Sequence, residues 1–171
     1  MGFLYGFVSR QDAMGILDFL KSPQHADSTL GNLNRKGDYW RGQINLGTDG
    51  EVPLLLAGNR VAPNNENIEL ARALVCKYIE LRPTIQRALF EHYEPYAAAV
   101  ASGEDDELGE VPKLTAPDQV WEHVSLARVL IEPLSQTDTV EIAYRADWDI
   151  EHTLGARFQN WALIELNGSV I

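Results

Sequence analysis

The segment Ala146-Asp147-Trp148-Asp149-Ile150-Glu151-His152-Thr153-Leu154-Gly155-Ala156-Arg157-Phe158 sets two aspartates, a glutamate, a histidine and an arginine beside a tryptophan. Carboxylates and an imidazole this close are the groups that general acid–base catalysis uses, and they also bind metal ions. On an extended strand Glu151 and His152 face opposite sides, so only a turn brings them together. The two-histidine spacing of a metalloprotease helix is absent. A structural reading stands beside the chemical one. Asp149 can cap the turn, Gly155 can supply a positive φ, and His152 can hydrogen-bond a turn carbonyl. The segment is expected to be structural or partner-binding, with Asp149, Glu151 and His152 as the catalytic candidates and no metal assigned to them.

Other polar residues are weaker candidates. In Glu91-His92-Tyr93-Glu94-Pro95-Tyr96, the spacing puts Tyr93 and Tyr96 on one helical face, packed on a sheet with their hydroxyls near its edge or forming a binding surface. His123, in Trp121-Glu122-His123, would join His152 only if two strands pair in a fitting register. Cys76, in Ala73-Leu74-Val75-Cys76, reads as a buried helical thiol, and one cysteine cannot make an intramolecular disulfide. Glu104, Asp105, Asp106, Glu107 and Glu110 lack the spacing of a calcium loop and read as surface. There is no phosphate-binding Gly-x-x-x-x-Gly-Lys-Ser/Thr, no Gly-x-Gly-x-x-Gly and no Gly-x-Ser-x-Gly, so no cofactor is assigned and enzyme chemistry is the less favoured class.

The elements that must position these residues follow from periodicity. Ser9 caps a helix carrying Met14, Leu17 and Leu20, ended by Pro23. Gln24 to Asp38 reads as a loop or linker, which divides the chain into an N-terminal helix and linker (1–38) and a main domain (39–171). Tyr39 to Leu46 and Glu51 to Ala57 are strands joined at Gly47-Thr48-Asp49-Gly50. Pro63-Asn64-Asn65-Glu66 opens a helix with Ile68, Ala71, Val75, Tyr78 and Ile79 on one face, thickened by Leu74. Pro83 ends it and Thr84 caps a second helix bearing Ile85, Ala88, Leu89, His92, Tyr93 and Tyr96, with a kink or restart at Pro95. Val124 to Glu132 and Thr139 to Ala146 are strands, Asp147 to Leu154 turns, and Gly155 to Gln159 returns. Trp161 to Leu166 continues or adds a strand, and Asn167-Gly168 is a last turn. The expected fold is α+β: an antiparallel sheet with a helical hairpin on one face and an extra N-terminal helix.

Across 171 residues, 45% are hydrophobic, enough for one core without a disulfide or metal. The net charge of −11 disfavours nucleic acid and anionic membrane and favours a basic protein partner. The apolar start, Met1 to Val8, lacks a basic n-region, and no stretch is long enough to span a bilayer, so a cytoplasmic location is expected.

Trp148-Asp149-x-Glu151-His152-x-Leu154-Gly155, followed by Phe158 and Gly168, resembles the ending of a group of small bacterial domains of unknown function, Trp-Asp-x-Glu-His-Gly-Leu-Gly. Trp40-x-Gly42 and the Tyr93 region are compatible with it. This chain has Thr153 where the group often has glycine. The resemblance implies an α+β fold, no established catalytic role, and a signature turn of Trp148, Asp149, Glu151, His152 and Gly155. Domains of this group are suspected to include immunity proteins of toxin systems. Three functions follow as expectations. The first is a non-enzymatic protein-binding domain, such as an immunity protein, binding through Trp148, Asp149, Glu151, His152, Tyr93 and Tyr96. The second is a small hydrolase or metal-dependent enzyme using Asp149, Glu151 and His152. The third is an adaptor docking through its N-terminal helix.

Overall fold

The computed structural model describes residues 22–103 and 111–170, with 169 and 170 described by backbone alone. The expected helix from Ser9 and most of the acidic Ser102–Glu110 segment lie outside these residues. The described residues form one eight-stranded sheet and one long helix. The strands are β1 (Gln24–Asp27), β2 (Gly31–Lys36), β3 (Tyr39–Asn45), β4 (Glu51–Ala57), β5 (Val124–Leu134), β6 (Thr137–Ala146), β7 (Asp149–Gln159) and β8 (Ala162–Val170), with helix α1 (Asn65–Ser102) between β4 and β5.

The strands lie in chain order. Each pairs antiparallel with the next except β4 and β5, which are parallel. A hairpin cannot join parallel neighbours, so the chain crosses over through α1. The sheet is therefore mixed: two four-stranded meanders joined by one helix. This corrects the expectation of an antiparallel sheet. It also corrects the reading of residues 24–38 as loop. Polar strands such as Gly31–Lys36, with only Leu33 fully buried, carry too little apolar alternation to announce themselves.

Cross-strand partners build the core. Leu54, Val129, Ile142 and Ala156 form one row of paired residues, and Trp40, Leu56, Ile131, Val140 and Phe158 the next. All nine are buried. The helix covers this face with Ile68, Ala71, Leu74, Tyr78, Leu81, Ile85, Leu89 and Tyr93, a continuous three- and four-residue repeat. Burial of each fully enclosed leucine or isoleucine contributes about 2 kcal/mol.

That repeat explains why there is no helical hairpin. The apolar face runs unbroken through Pro83 and Pro95, which lie inside α1 on its exposed side. The carbonyls freed by the missing N–H groups belong to exposed Ile79 and Glu91, where water can satisfy them, while Leu81 and Ile85 hold the helix to the sheet. The helix stops instead at Gly103, whose left-handed φ of 71° lets its N–H reach the carbonyls of Ala99 and Val100. The same register turns Val75, Cys76 and Ile79 to solvent, so Cys76 is exposed, not buried as its apolar neighbours imply. No helix among the described residues is long and apolar enough to cross a membrane.

The turns also differ from expectation. The β6–β7 turn is only Asp147–Trp148, and β7 already begins at Asp149. The β7–β8 turn is Asn160–Trp161, both at positive φ as a two-residue type I′ hairpin requires, and Asn167–Gly168 lies inside β8.

Candidate functional site

Asp149 is the hub of a cluster where the β6–β7 turn meets the last third of α1. It is 7% exposed. Oδ1 accepts the His152 backbone N–H at 3.2 Å and the His152 Nδ1–H at 2.8 Å. Oδ2 accepts the Tyr96 hydroxyl at 3.0 Å and faces His92 Nε2 at 3.9 Å. Asp149 therefore caps the turn, but the His152 ring bonds the carboxylate and not a turn carbonyl. Burial pushes the Asp149 carboxyl up, and the hydrogen bonds from His152 and Tyr96 with the neighbouring imidazoles outweigh it, leaving it below its ordinary value. Tyr96 is pushed up to about 12, by burial and by its bond to Asp149.

Trp148 closes the other side. It is buried, packs edge-on against Tyr93 at 5.5 Å, and donates its indole N–H to His92 Nδ1 at 3.2 Å. That bond makes Nδ1 an acceptor and places the His92 proton on Nε2, toward Asp149. Burial holds the His92 pKa below its ordinary value, against the attraction of Asp149. The His92 and Tyr96 rings lie 5.3 Å apart. The Tyr93 hydroxyl turns away, donating to the Pro112 carbonyl and accepting the Leu114 N–H.

The structure thus brings together Trp148, Asp149, His152 and Tyr96, with the Tyr93 ring and His92. Glu151 does not converge with them. Ala146 pairs with Asp149 and the adjacent Arg145 with Thr153, so Ile150, Glu151 and His152 are three residues of β7 with no counterpart on β6. This bulge projects Ile150, 82% exposed, and Glu151 into solvent. His123 bonds Asp147 at 3.1 Å, while its carbonyl accepts the Asp147 N–H, so it anchors the turn. Gly155 has no positive φ. It lies within β7, where an added Cβ would sit 2.7 Å from the Glu141 carboxyl carbon. Among the described residues no group of three or more His, Cys, Asp or Glu side chains is placed to hold a metal.

A second polar cluster has little forewarning in the sequence. Asp49, in the turn before β4, accepts hydrogen bonds from the Tyr78 hydroxyl and the Arg82 guanidinium. The Tyr144 hydroxyl lies 3.0 Å from that of Tyr78. Because Tyr78 spends its proton on Asp49, Tyr144 donates to Tyr78. Arg82 stacks on Trp121, 3.9 Å from the ring centroid, and Trp121 donates its indole N–H to Gln86. Burial and the bond to Asp49 push Tyr78 up, and burial does the same to Tyr144. The only local signal was the four-residue spacing of Tyr78 and Arg82, and Arg82 stood beside the proline read as a helix end.

The family model described as domain of unknown function (DUF6985) matches residues 29–170. That is most of the chain, and the chain belongs to this family. No curated protein and no solved structure matches it.

Proposed function

We propose that this member of the DUF6985 family is a protein-binding domain, and that its specific role is that of an immunity protein covering a basic surface of a toxin. The β7 bulge carries the reading. It offers one apolar side chain, Ile150, next to the carboxylate of Glu151, on a base fixed by the buried Asp149. A rigid protruding anchor with an adjacent charge loses little entropy on binding. The net charge of −11 would steer a basic partner toward it.

The test is a pull-down with the tagged full chain, co-expressed with the product of the neighbouring reading frame. Wild type and Ile164→Asp, altered at an exposed isoleucine on β8, should retain a stoichiometric partner, and Ile150→Asp should lose it. Equal retention by Ile150→Asp would remove the bulge from the interface. Absence of any partner would remove the reading.

One observation supports the hydrolase alternative. Asp149 orients His152 at 2.8 Å while the imidazole remains partly exposed, the arrangement of a general base and its orienting carboxylate. Ester or amide turnover lost in His152→Gln, with the fold intact, would favour it.

A further inference from the structure

The loop from β4 into α1 is pinned from several sides. Asn59 Oδ1 accepts the N–H groups of Val61 at 2.7 Å and Ala62 at 3.0 Å, and the Asn59 N–H donates to the Ala62 carbonyl at 3.0 Å. Arg35 donates to the Gly58 and Asn59 carbonyls at 2.9 Å each, and the Trp40 indole N–H to the Asn59 carbonyl at 3.0 Å. Gly58 lies against Pro63, where a Cβ would sit 2.5 Å from the proline Cα. This frame presents Arg60 and Val61 to solvent, Val61 with 82% of its surface exposed. The Arg60 guanidinium has no hydrogen bond or ion pair among the described residues.

A groove of about 890 Å³ opens at the same end of the sheet, between the first turns of α1 and the β5–β6 and β7–β8 turns. The volume suits a bound group. Leu70, Ala73 and Trp161 give it apolar walls, and Glu66, Glu69 and Asp138 give it carboxylates. Glu69 is held by Arg72 at 2.6 Å, and Lys77, which lies over the Trp161 ring, by Glu80 at 3.3 Å. Glu66 and Asp138 have no such partner among the described residues.

The loop therefore carries one cation beside one apolar side chain, and the groove carries apolar walls beside uncompensated carboxylates. Within one molecule the two stay apart. Arg35 and Trp40 hold the loop on the side of β2 and β3, whereas the groove borders the turns of β5 to β8, with the start of α1 between. Between two molecules they complement each other. A two-fold axis at this end of the sheet sets each loop into the other copy's groove, and every contact is made twice.

We infer that this chain pairs with a second copy of itself through that end, with Val61 entering the groove beside Leu70 and Trp161 and Arg60 meeting Glu66 and Asp138. A specific contact needs roughly 1,000 Å² in all, and the symmetry asks each loop and groove for half of it. The β7 bulge lies at the opposite end of the sheet, beyond the start of β5, so pairing leaves it open and the inference does not depend on the protein-binding reading.

Sedimentation equilibrium on the full chain tests this, in about 0.15 M salt to screen the net charge of −11 that each copy carries. Wild type should form a reversible dimer of the 19.1 kDa chain, with a dissociation constant below about 0.5 mM. Arg60→Glu should weaken the dimer about tenfold or more, and Glu66→Lys likewise, because each sets like charges together in both halves of the contact. An equimolar mixture of these two variants should restore it, because the mixed dimer again opposes unlike charges in both halves. Val61→Asp should weaken the dimer with no rescue by Glu66→Glu-retaining wild type in excess, since its apolar anchor is gone from one half of every mixed pair. Arg60, Val61 and Glu66 are all exposed, and circular dichroism checks that each variant is folded. A chain that stays monomeric up to about 0.5 mM, a dimer that Arg60→Glu and Val61→Asp leave intact, or a mixture of the two charge variants that fails to pair overturns the proposal.

Discussion

Glu141 lies across Gly155. The two residues occupy adjacent strands on the face of the sheet away from α1, and a methyl group at position 155 would sit 2.7 Å from the Glu141 carboxyl carbon and 2.9 Å from its Cγ. The glutamate is 6% exposed, and it takes this path to reach Arg157 Nε at 2.7 Å and Arg128 at 3.5 Å. The glycine of the signature segment is thus a matter of space, not of φ. Gly155→Ala should cost about 1–3 kcal/mol in urea unfolding, as overpacking does, although alanine is otherwise the better strand residue. In the Glu141→Ala background the same substitution should cost much less, because the colliding carboxyl is gone.

Tyr93 ties residues 111–116 to the helix through one hydroxyl, which donates to Pro112 O at 2.7 Å and accepts from Leu114 N at 2.9 Å. Tyr93→Phe keeps the ring contact with Trp148 and removes both bonds. A loss of about 1–3 kcal/mol is expected from the stranded backbone groups. Amide exchange at Leu114 should accelerate at least tenfold, with the β6 amides slowed or quickened only by the global change.

Much of this fold was legible because its periodicity is local. Val140, Ile142, Tyr144 and Ala146 alternate inward as their spacing implies, and Asn64 does start the helix. Legibility ended where a tertiary contact outvotes a local signal. Pro83 breaks isolated helices, but here Leu81 and Ile85 hold both sides of it to the sheet. Asn167-Gly168 resembles a turn, yet both residues pair with β7. At the site, proximity in sequence revealed Asp149 and His152. Tyr96 stands out only through its helical spacing with Tyr93, and nothing local ties it or His92 to Asp149, because both arrive from a helix about fifty residues earlier; the Asp49–Arg82 pair likewise depends on where α1 crosses the sheet.

Asp27 fixes the turn into β2 and anchors it to α1. Its Oδ1 accepts the N–H groups of Thr29 and Leu30 at 2.9 Å each, and Arg72 reaches Oδ2 at 2.5 Å. Burial raises the carboxyl, but the Arg72 and backbone hydrogen bonds prevail and hold it at about 2. A carboxylate depressed below its ordinary 3.8 stabilises the fold at all higher pH, and that stability drains as pH falls from 3.8 toward about 2. Its size is on the order of 1–2 kcal/mol, since Arg72 is partly exposed and screened. Asp27→Asn keeps an acceptor for the turn and loses the charge. Its stability curve, from chemical denaturation across acid pH, should be lower near neutrality and flatter below about pH 4 than that of wild type.

His92 predicts a second, milder pH window. Its Nδ1 is occupied by the Trp148 indole N–H, so protonation must break that bond inside a half-buried site. The charged groups facing it are Asp149, which favours the imidazolium, and His152, which opposes it. Burial dominates, and the folded pKa lies below the ordinary 6.5. The folded state then binds fewer protons than the unfolded chain between those two values, so stability falls as pH drops from about 6.5 toward the folded pKa and levels off beneath it. In a ¹⁵N titration the Trp148 indole should shift with the same midpoint as the His92 ring, below 6.5. His92→Leu should abolish that indole transition and remove the stability loss in this window. An indole that titrates unchanged in His92→Leu would overturn the assignment to His92.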